Sequence, residues 1–598
     1  MSNNRGDSES IYNRMSRRLV AESSELSEKF TQRLWGIRRS EDVLRAIKGL
    51  DEGLALETAL EYFGEGKHYS VGIDGSMDYD ERLETLLFYV NASAYSVPME
   101  VSKNELKINL REISRVSGLS SYAVVPLWLE DLSYIFMDNE AAETEYDFRT
   151  SIERIPFALM TMAEIWTALN SAGMPDVKLI LMDRSLYGTY TSALKDLRAM
   201  LRSGHSALTK VSTSNGSPSM LDISLATMIG PGFYLPKRAP YRIYDFIYQA
   251  LNGKSESSIF GELGDEEAER LIKHLRKKDI DSGGELLDGT HIRESVKGYW
   301  KRVISACEYV ARRAFETEEN PLKIGDDTWL TIYDLNAINV FLLYELVNES
   351  IKNNILLIGI TKDTTASEFI RSVIPYSKSV GLIKGQNLPG LANDKGFLTA
   401  FAAVNAERLR TPWRTMGYDS SFASMNGDPD ASPVLAAARK SVSREKFFVK
   451  SYFQLREFAT DPQMRSPVFT YDRPFMEKYD AGLVRRAEAR TSNGVVSLEI
   501  FFEGESMSKI DNLILYLLLH SDNPEVLEAF GHNQLLYMAD KQVKHEIKMV
   551  KEALKGIADF QLGSLARKER IFSISRRFRD IRAEIEKLRE EAGKEIER

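Results

Sequence analysis

Tyr69-Ser70-Val71-Gly72-Ile73-Asp74-Gly75-Ser76 reads as a buried strand running into a carboxylate. Val71 and Ile73 are β-branched and suit a pleated, packed surface. Asp74 stands where the apolar run stops, and Gly75 lets the backbone turn sharply or come close to a ligand. An aspartate in this setting either opens an Asx turn or aims a metal-binding carboxylate into a cleft. The second reading requires partner carboxylates on strands or helices that reach the same point.

Upstream, residues 9–66 read as helical, with Leu19, Leu26, Phe30, Leu34 and Ile37 on one face. Downstream, Asp78-Tyr79-Asp80-Glu81 reads as an acidic turn. Leu86–Val97 then reads as a second strand and Met99–Leu110 as a third, which suggests an antiparallel meander. The period changes at Arg149–Ala172, where Ile152, Ile155, Leu159, Met162, Ile165, Trp166 and Leu169 fall on one helical face. Gly173 is the expected C-cap and Pro175 the stop. Val177–Met182 is a strand that again meets an aspartate, Asp183. A helix followed by a buried strand is the mark of a parallel crossover.

Residues 187–350 are mostly helical and polar and read as an insertion covering one side of the core. Ile355–Thr361 is a further buried strand, followed at once by Lys362. Phe447–Phe453 and Leu483–Phe502 read as strands, the latter turning at Ser492-Asn493-Gly494. Met507–Leu519 is an apolar helix. The tail carries two heptad seams: Val543, Ile547, Val550, Leu554 and Ile557, then Ile571, Ile574, Phe578, Ile581, Ile585 and Leu588. It either packs on the body of the protein or forms an intermolecular coiled coil. The expected division is an N-terminal helical region (1–66), a first core part (67–186), the insertion (187–350), a second core part (351–540) and the helical tail (541–598).

Composition bounds the function. A chain of 598 residues with 43% apolar residues can bury a large core, and its length suits several units. The net charge of -9 carries no global basic signature, so contacts to nucleic acid must come from local patches or metals. The single Cys307 excludes an intrachain disulfide and a cysteine-rich zinc site, and favours a reducing compartment. Met1–Asp7 has no apolar signal core, and no apolar run nears the ~20 residues of a membrane span. A cytoplasmic protein without a membrane partner is expected. There is no Walker-type phosphate loop, so the chain should not itself hydrolyse ATP.

Asp74 and Asp183 now form a pattern. If their strands lie side by side in parallel, both carboxylates emerge at one sheet edge. The helix between them offers Glu153 and Glu164, either of which could lean over that edge. Hard oxygen ligands of this kind suit Mg²⁺ or Mn²⁺. Two such ions a few Å apart can activate a water and stabilise the leaving oxygen in phosphodiester cleavage. Three meandering strands, a helix, a strand, a helix-rich stretch and a strand follow one another in the order of a ribonuclease-H-like sheet. The expected fold is therefore α/β: a ribonuclease-H-like mixed sheet core with a large helical insertion and a C-terminal helical or coiled-coil tail.

At these residues the chain resembles the NurA nucleases, which partner the HerA helicase/translocase in archaeal and bacterial DNA-end processing. Val71-Gly72-Ile73-Asp74-Gly75-Ser76 resembles the family's first motif, and Leu179-Ile180-Leu181-Met182-Asp183-Arg184-Ser185-Leu186 its second. Gly359-Ile360-Thr361-Lys362-Asp363-Thr364 is similar to the strand with a terminal lysine. Asn523-Pro524-Glu525-Val526-Leu527, followed by Phe530-Gly531-His532, resembles a late Tyr-Pro…Leu…Ala-His motif. The resemblance runs from about 65 to 545. Three residues depart from it: Arg184 replaces a glycine, Asn523 a tyrosine and Gly531 an alanine.

The resemblance implies a Mn²⁺- or Mg²⁺-dependent deoxyribonuclease that processes DNA ends with a HerA-type hexameric ATPase, as a homodimer. It favours Glu164 over Glu153 as the third carboxylate. It implies that Asp74, Glu164, Asp183 and His532 attend the metal, with Lys362 assisting at a phosphate or carboxylate. Arg184 and Asn523 favour a different outcome, a catalytically inactive relative kept as a DNA-binding or ATPase-regulating subunit. A scaffold assembled through the heptad tail is a third.

Overall fold

The structure is a computed structural model. It describes residues 41–82, 85–136, 145–231, 233–234, 242–289, 291–325, 327–384, 393–427, 434–437, 447–458, 461, 464–492, 494–523, 525–526 and 530–566, with 18, 22–29, 31–32 and 36–37 near the N-terminus. The second heptad seam, Ile571–Leu588, and Pro524 and Leu527 of the late motif lie outside them.

Three buried strands form the centre: β2 (Gly66–Arg82), β6 (Val177–Met182) and β7 (Leu356–Thr361). They lie parallel, β6 between the other two, with Val71 opposite Ile180 and Leu357 opposite Ile180 on the far side. All three are covered on both faces, which is why they read as near-continuous apolar runs. Two antiparallel strands extend the β2 side: β3 (Thr85–Val101) on β2, and β5 (Ser114–Trp128) on β3. The first five long strands thus stand in spatial order third, second, first, fourth, fifth, with the second antiparallel. That is the ribonuclease-H-like order expected from the sequence.

The sheet continues on its other side. β10 (Phe469–Pro474) pairs with β7, β9 (Phe448–Gln454) with β10, β8 (Trp413–Thr415) with β9 and β1 (Ile47–Gly49) with β8, all antiparallel. The short β4 (Leu106–Ile108) pairs with the end of β3. Among the described residues this is one mixed sheet of eleven strands.

Two details differ from the sequence reading. β2 does not stop at Asp74. Its parallel pairing with β6 stops at Ile73 opposite Met182, but β2 and β3 continue as a paired arm to Arg82 opposite Thr85. Asp78–Glu81 therefore lie in a strand rather than a turn. The third meander strand is Ser114–Trp128; Met99–Val101 belongs to β3, and only Leu106–Ile108 of the expected stretch forms a strand.

Helices cover both faces. α2 (Glu145–Ala172) lies across β2, β3 and β5 and buries Ile155, Leu159, Met162 and Ile165 against Val71, Ile73, Ala92 and Ala94. Fully burying each such aliphatic side chain contributes about 2 kcal/mol. α3 (Leu186–Ser203), α4 (Tyr299–Glu316) and α5 (Ile332–Lys352) pack behind α2.

The opposite face takes α1 (Glu52–Phe63), α6 (Lys509–His520) and α7 (Gln534–Ala566) against Leu179, Leu181, Leu356 and Ile358. β11 (Val484–Thr491) and β12 (Gly494–Phe501) form the expected hairpin, closed where Thr491 faces Gly494. Among the described residues no helix is long and apolar enough to cross a membrane.

Candidate active site

β2 alternates between the two covered faces. Val71 and Ile73 belong to the α2 side. A Cβ on Gly72 would lie 2.5 Å from the Leu535 Cβ of α7, so Gly72 faces the α7 side. Asp74 has the same parity as Gly72. Its neighbours across β3 agree: Asn91 donates to Glu546 (2.5 Å) and Tyr95 to Gln542 (3.5 Å), both on α7. Asp74 is buried, and its Oδ1 accepts from the Gly75 N–H at 2.8 Å.

Asp183 follows β6 directly, and its N–H donates to the Ile73 carbonyl at 3.0 Å. The two aspartates are therefore neighbours on adjacent parallel strands. Asp183 Oδ2 accepts from Lys362 Nζ at 2.5 Å. Lys362 follows β7, so three successive parallel strands each deliver one of the three charged groups. Lys395 braces the Lys362 turn by donating to the Lys362 carbonyl (2.5 Å) and Asp363 (2.8 Å).

The turn carrying Asp183 is itself anchored. Ser185 caps α3, its Oγ accepting from the Gly188 N–H at 2.8 Å. The buried Asp472 of β10 accepts from Ser185 Oγ and from the Leu186 and Tyr187 N–H groups at 2.9 and 3.0 Å. A carboxylate at a helix N-terminus also meets the positive end of the helix dipole.

His532 enters from the loop before α7. Gly531 reaches it through a left-handed turn, φ 76°, which a glycine adopts without strain. This gives a physical reason for glycine where the resembled motif has alanine. His532 packs against Phe469 with ring centroids 5.4 Å apart, and its Nε2 is buried without a hydrogen-bond partner. Burial first, and the charge of Lys362 next, push its pKa down to about 4, so the ring is neutral at physiological pH.

Glu164 arrives differently. It comes from α2, on the other face of β2, and lies over Gly75: a Cβ there would sit 2.8 Å from the Glu164 Cγ, with Oε1 closer still. Glu164 is buried and ion-paired with Arg184 Nε, whose side chain is 10% exposed. The helical period alone left Glu153 open as well, but Glu153 lies out along the arm, where it accepts from the Tyr79 hydroxyl at 3.4 Å.

The electrostatics of the cluster are unbalanced. Burial, then Asp183 and Glu164, push Asp74 up to about 10. Burial pushes Glu164 up to about 7 against the pull of Arg184. Burial works against the charged form of Lys362, but Asp183, Asp74 and Asp540 outweigh it and hold the ammonium above its ordinary value. Asp540 of α7 also acts electrostatically on Asp74 and His532, and sequence reasoning missed it. The signal was there: Leu536, Asp540, Val543 and Ile547 follow helical spacing, so Asp540 is a charge on the stripe that α7 turns toward the protein.

The expected metal set is thus only partly assembled. Among the described residues no group of three or more histidine, cysteine, aspartate or glutamate side chains is arranged to hold a metal ion as it stands. Asp74 and Asp183 nonetheless fit a hard divalent cation. Mg²⁺-type sites commonly use one or two carboxylates and complete their coordination with water and substrate phosphate. The orphaned His532 Nε2 and the suppressed ionisation of Asp74 both mark a place where added positive charge would be welcome.

No protein-family model matches the chain, and no curated protein matches it. Among solved structures it is similar to the NurA nuclease from Sulfolobus solfataricus, at 12% identity and a TM-score of 0.34, over 92% of this chain and 97% of that one. It is also similar to NurA with manganese (12%, 0.35, 90% and 98%) and to NurA bound to dAMP and manganese (12%, 0.31, 90% and 93%).

Proposed function

We propose that this chain is a divalent-cation-dependent deoxyribonuclease that processes DNA ends in the cytoplasm, together with a HerA-type hexameric ATPase. The reading rests on the side chains of this chain and on its motifs, not on the likeness to solved structures. The observation that carries it is the juxtaposition of Asp74 and Asp183 on neighbouring parallel strands, with Lys362 and His532 converging on them.

A Mn²⁺ or Mg²⁺ held by Asp74 and Asp183 would supply Lewis acidity toward the scissile phosphate. Glu164, ion-paired with Arg184, is the third carboxylate of the cluster. Lys362, kept protonated beside Asp183, offers a fixed positive charge to phosphate oxygens. His532, neutral and with a free Nε2, can accept the proton of an attacking water. With a net charge of -9, DNA would be held by such local groups rather than by the whole surface. Homodimerisation through the N-terminal helices or the charged tail completes the proposal.

The test is cleavage of end-labelled DNA in Mn²⁺, with and without a ring ATPase. Wild type should cut, and an Asp74→Ala/Asp183→Ala double variant that folds should not. Equal cutting by the two ends the proposal. One observation favours a second reading, a DNA-binding or ATPase-regulating subunit without catalysis: Glu164 is already neutralised by Arg184. In that case wild type binds DNA ends and cuts none.

A further inference from the structure

We infer that Arg184 takes the place of a second divalent cation, so that this site works with one metal ion held between Asp74 and Asp183. The inference rests on the nuclease reading above and deepens it. Two-metal phosphodiesterase sites need a carboxylate shared by both ions and further oxygens for each, with the ions about 4 Å apart. Here the additional carboxylate that α2 brings over Gly75 is Glu164, while Asp540 stands on α7.

The Glu164 Oε2 is committed, accepting from Arg184 Nε, while its Oε1 packs over Gly75. Glu164 is buried on the α2 face of β2, while Asp74 faces α7. The guanidinium is held in turn, donating to the Thr189 hydroxyl at 3.4 Å and lying 5.9 Å from the centre of the Phe157 ring. A largely covered, oriented guanidinium is a permanent charge that needs no ion concentration to fill it. A small residue at 184 would free Glu164 to accept a cation instead.

Mn²⁺ stoichiometry decides this, read from the electron paramagnetic resonance signal of unbound Mn²⁺ during titration of the full chain. Wild type and Arg184→Lys should bind one ion, and Arg184→Gly two. Two ions on wild type overturn the inference and leave the nuclease reading standing. One ion on a folded Arg184→Gly overturns it as well. Should that variant not fold, Glu164→Gln decides: unchanged Mn²⁺ affinity supports the inference, and a tenfold loss marks Glu164 as a ligand and overturns it. No Mn²⁺ on wild type, together with no DNA cleavage, overturns the nuclease reading and this inference with it.

Discussion

Replacing Asp74 by asparagine should make the metal-free protein more stable while removing the cleavage activity proposed for it. In the folded chain burial, Asp183 and Glu164 raise the Asp74 pKa from 3.8 to about 10. At neutral pH the folded protein therefore holds a proton that the unfolded chain has released. Taking it up costs about 1.4 kcal/mol for each pH unit above the unfolded value, or about 4 kcal/mol at pH 7. The proton belongs to the carboxylate cluster as a whole rather than to Asp74 alone.

The direction follows from the raised pKa. This contribution to stability is fully present below 3.8 and is lost as pH climbs toward about 10. Asparagine has no proton to take up, and its carbonyl can still accept from the Gly75 N–H. Urea unfolding in EDTA, followed by tryptophan fluorescence at about pH 5, 7 and 9, reads the difference. The variant's midpoint should exceed the wild type's at neutral pH, and the gap should widen as pH rises. Mn²⁺ should raise the wild-type midpoint and leave the variant's unchanged. A variant less stable than wild type in EDTA, or a gap that does not grow with pH, would refute the idea that these carboxylates await a cation.

Three further outcomes are expected. The His532 pKa falls from 6.5 to about 4, so its stabilising contribution is present above 6.5 and lost as pH drops to about 4. His532→Asn should remove about 3 kcal/mol of that acid sensitivity, measured by urea unfolding between those pH values. Gly75→Ala would put a methyl group inside the Glu164 side chain, so it should cost about 1–3 kcal/mol and lower cleavage, seen in thermal unfolding and the DNA assay. Asp540→Asn should weaken Mn²⁺ binding about tenfold while the fold persists, measured by calorimetric titration and circular dichroism.

The parts of this fold that the sequence revealed are those where one physical cause dominates. β2, β6 and β7 are buried on both faces, so their residues show as apolar runs, and Asp74, Asp183 and Lys362 stand where those runs break. What stayed hidden depends on tertiary context. Met77–Asp80 is half-exposed and acidic because the arm pairs with β3 alone, and such a composition reads as a turn. β5 is an edge strand with Gly118 and Pro126 in it and an exposed face of Tyr122, Val124 and Trp128, which blurs its alternation. Glu164 was separable from Glu153 only through motif resemblance, since helical spacing places both near one face. The first heptad seam turned out to be a seam onto the sheet for its opening part. Val543 and Ile547 are buried and Val550 is exposed; the side chains of Leu554 and Ile557 lie outside the described residues.

The placement of α7 on β2 has a consequence for how the protein is made. Synthesis delivers the chain from its N-terminus, and early segments fold as they emerge. Asp74, Asp183 and Lys362 leave the ribosome long before His532 and Asp540, which arrive with the helix that seals Gly72 against Leu535. A product broken off ahead of that helix lacks the helix that covers the acidic pair, and the cluster of Leu179, Leu181, Leu356 and Ile358 keeps only α1 and α6 over it. Such a fragment would be a substrate for chaperones and proteases.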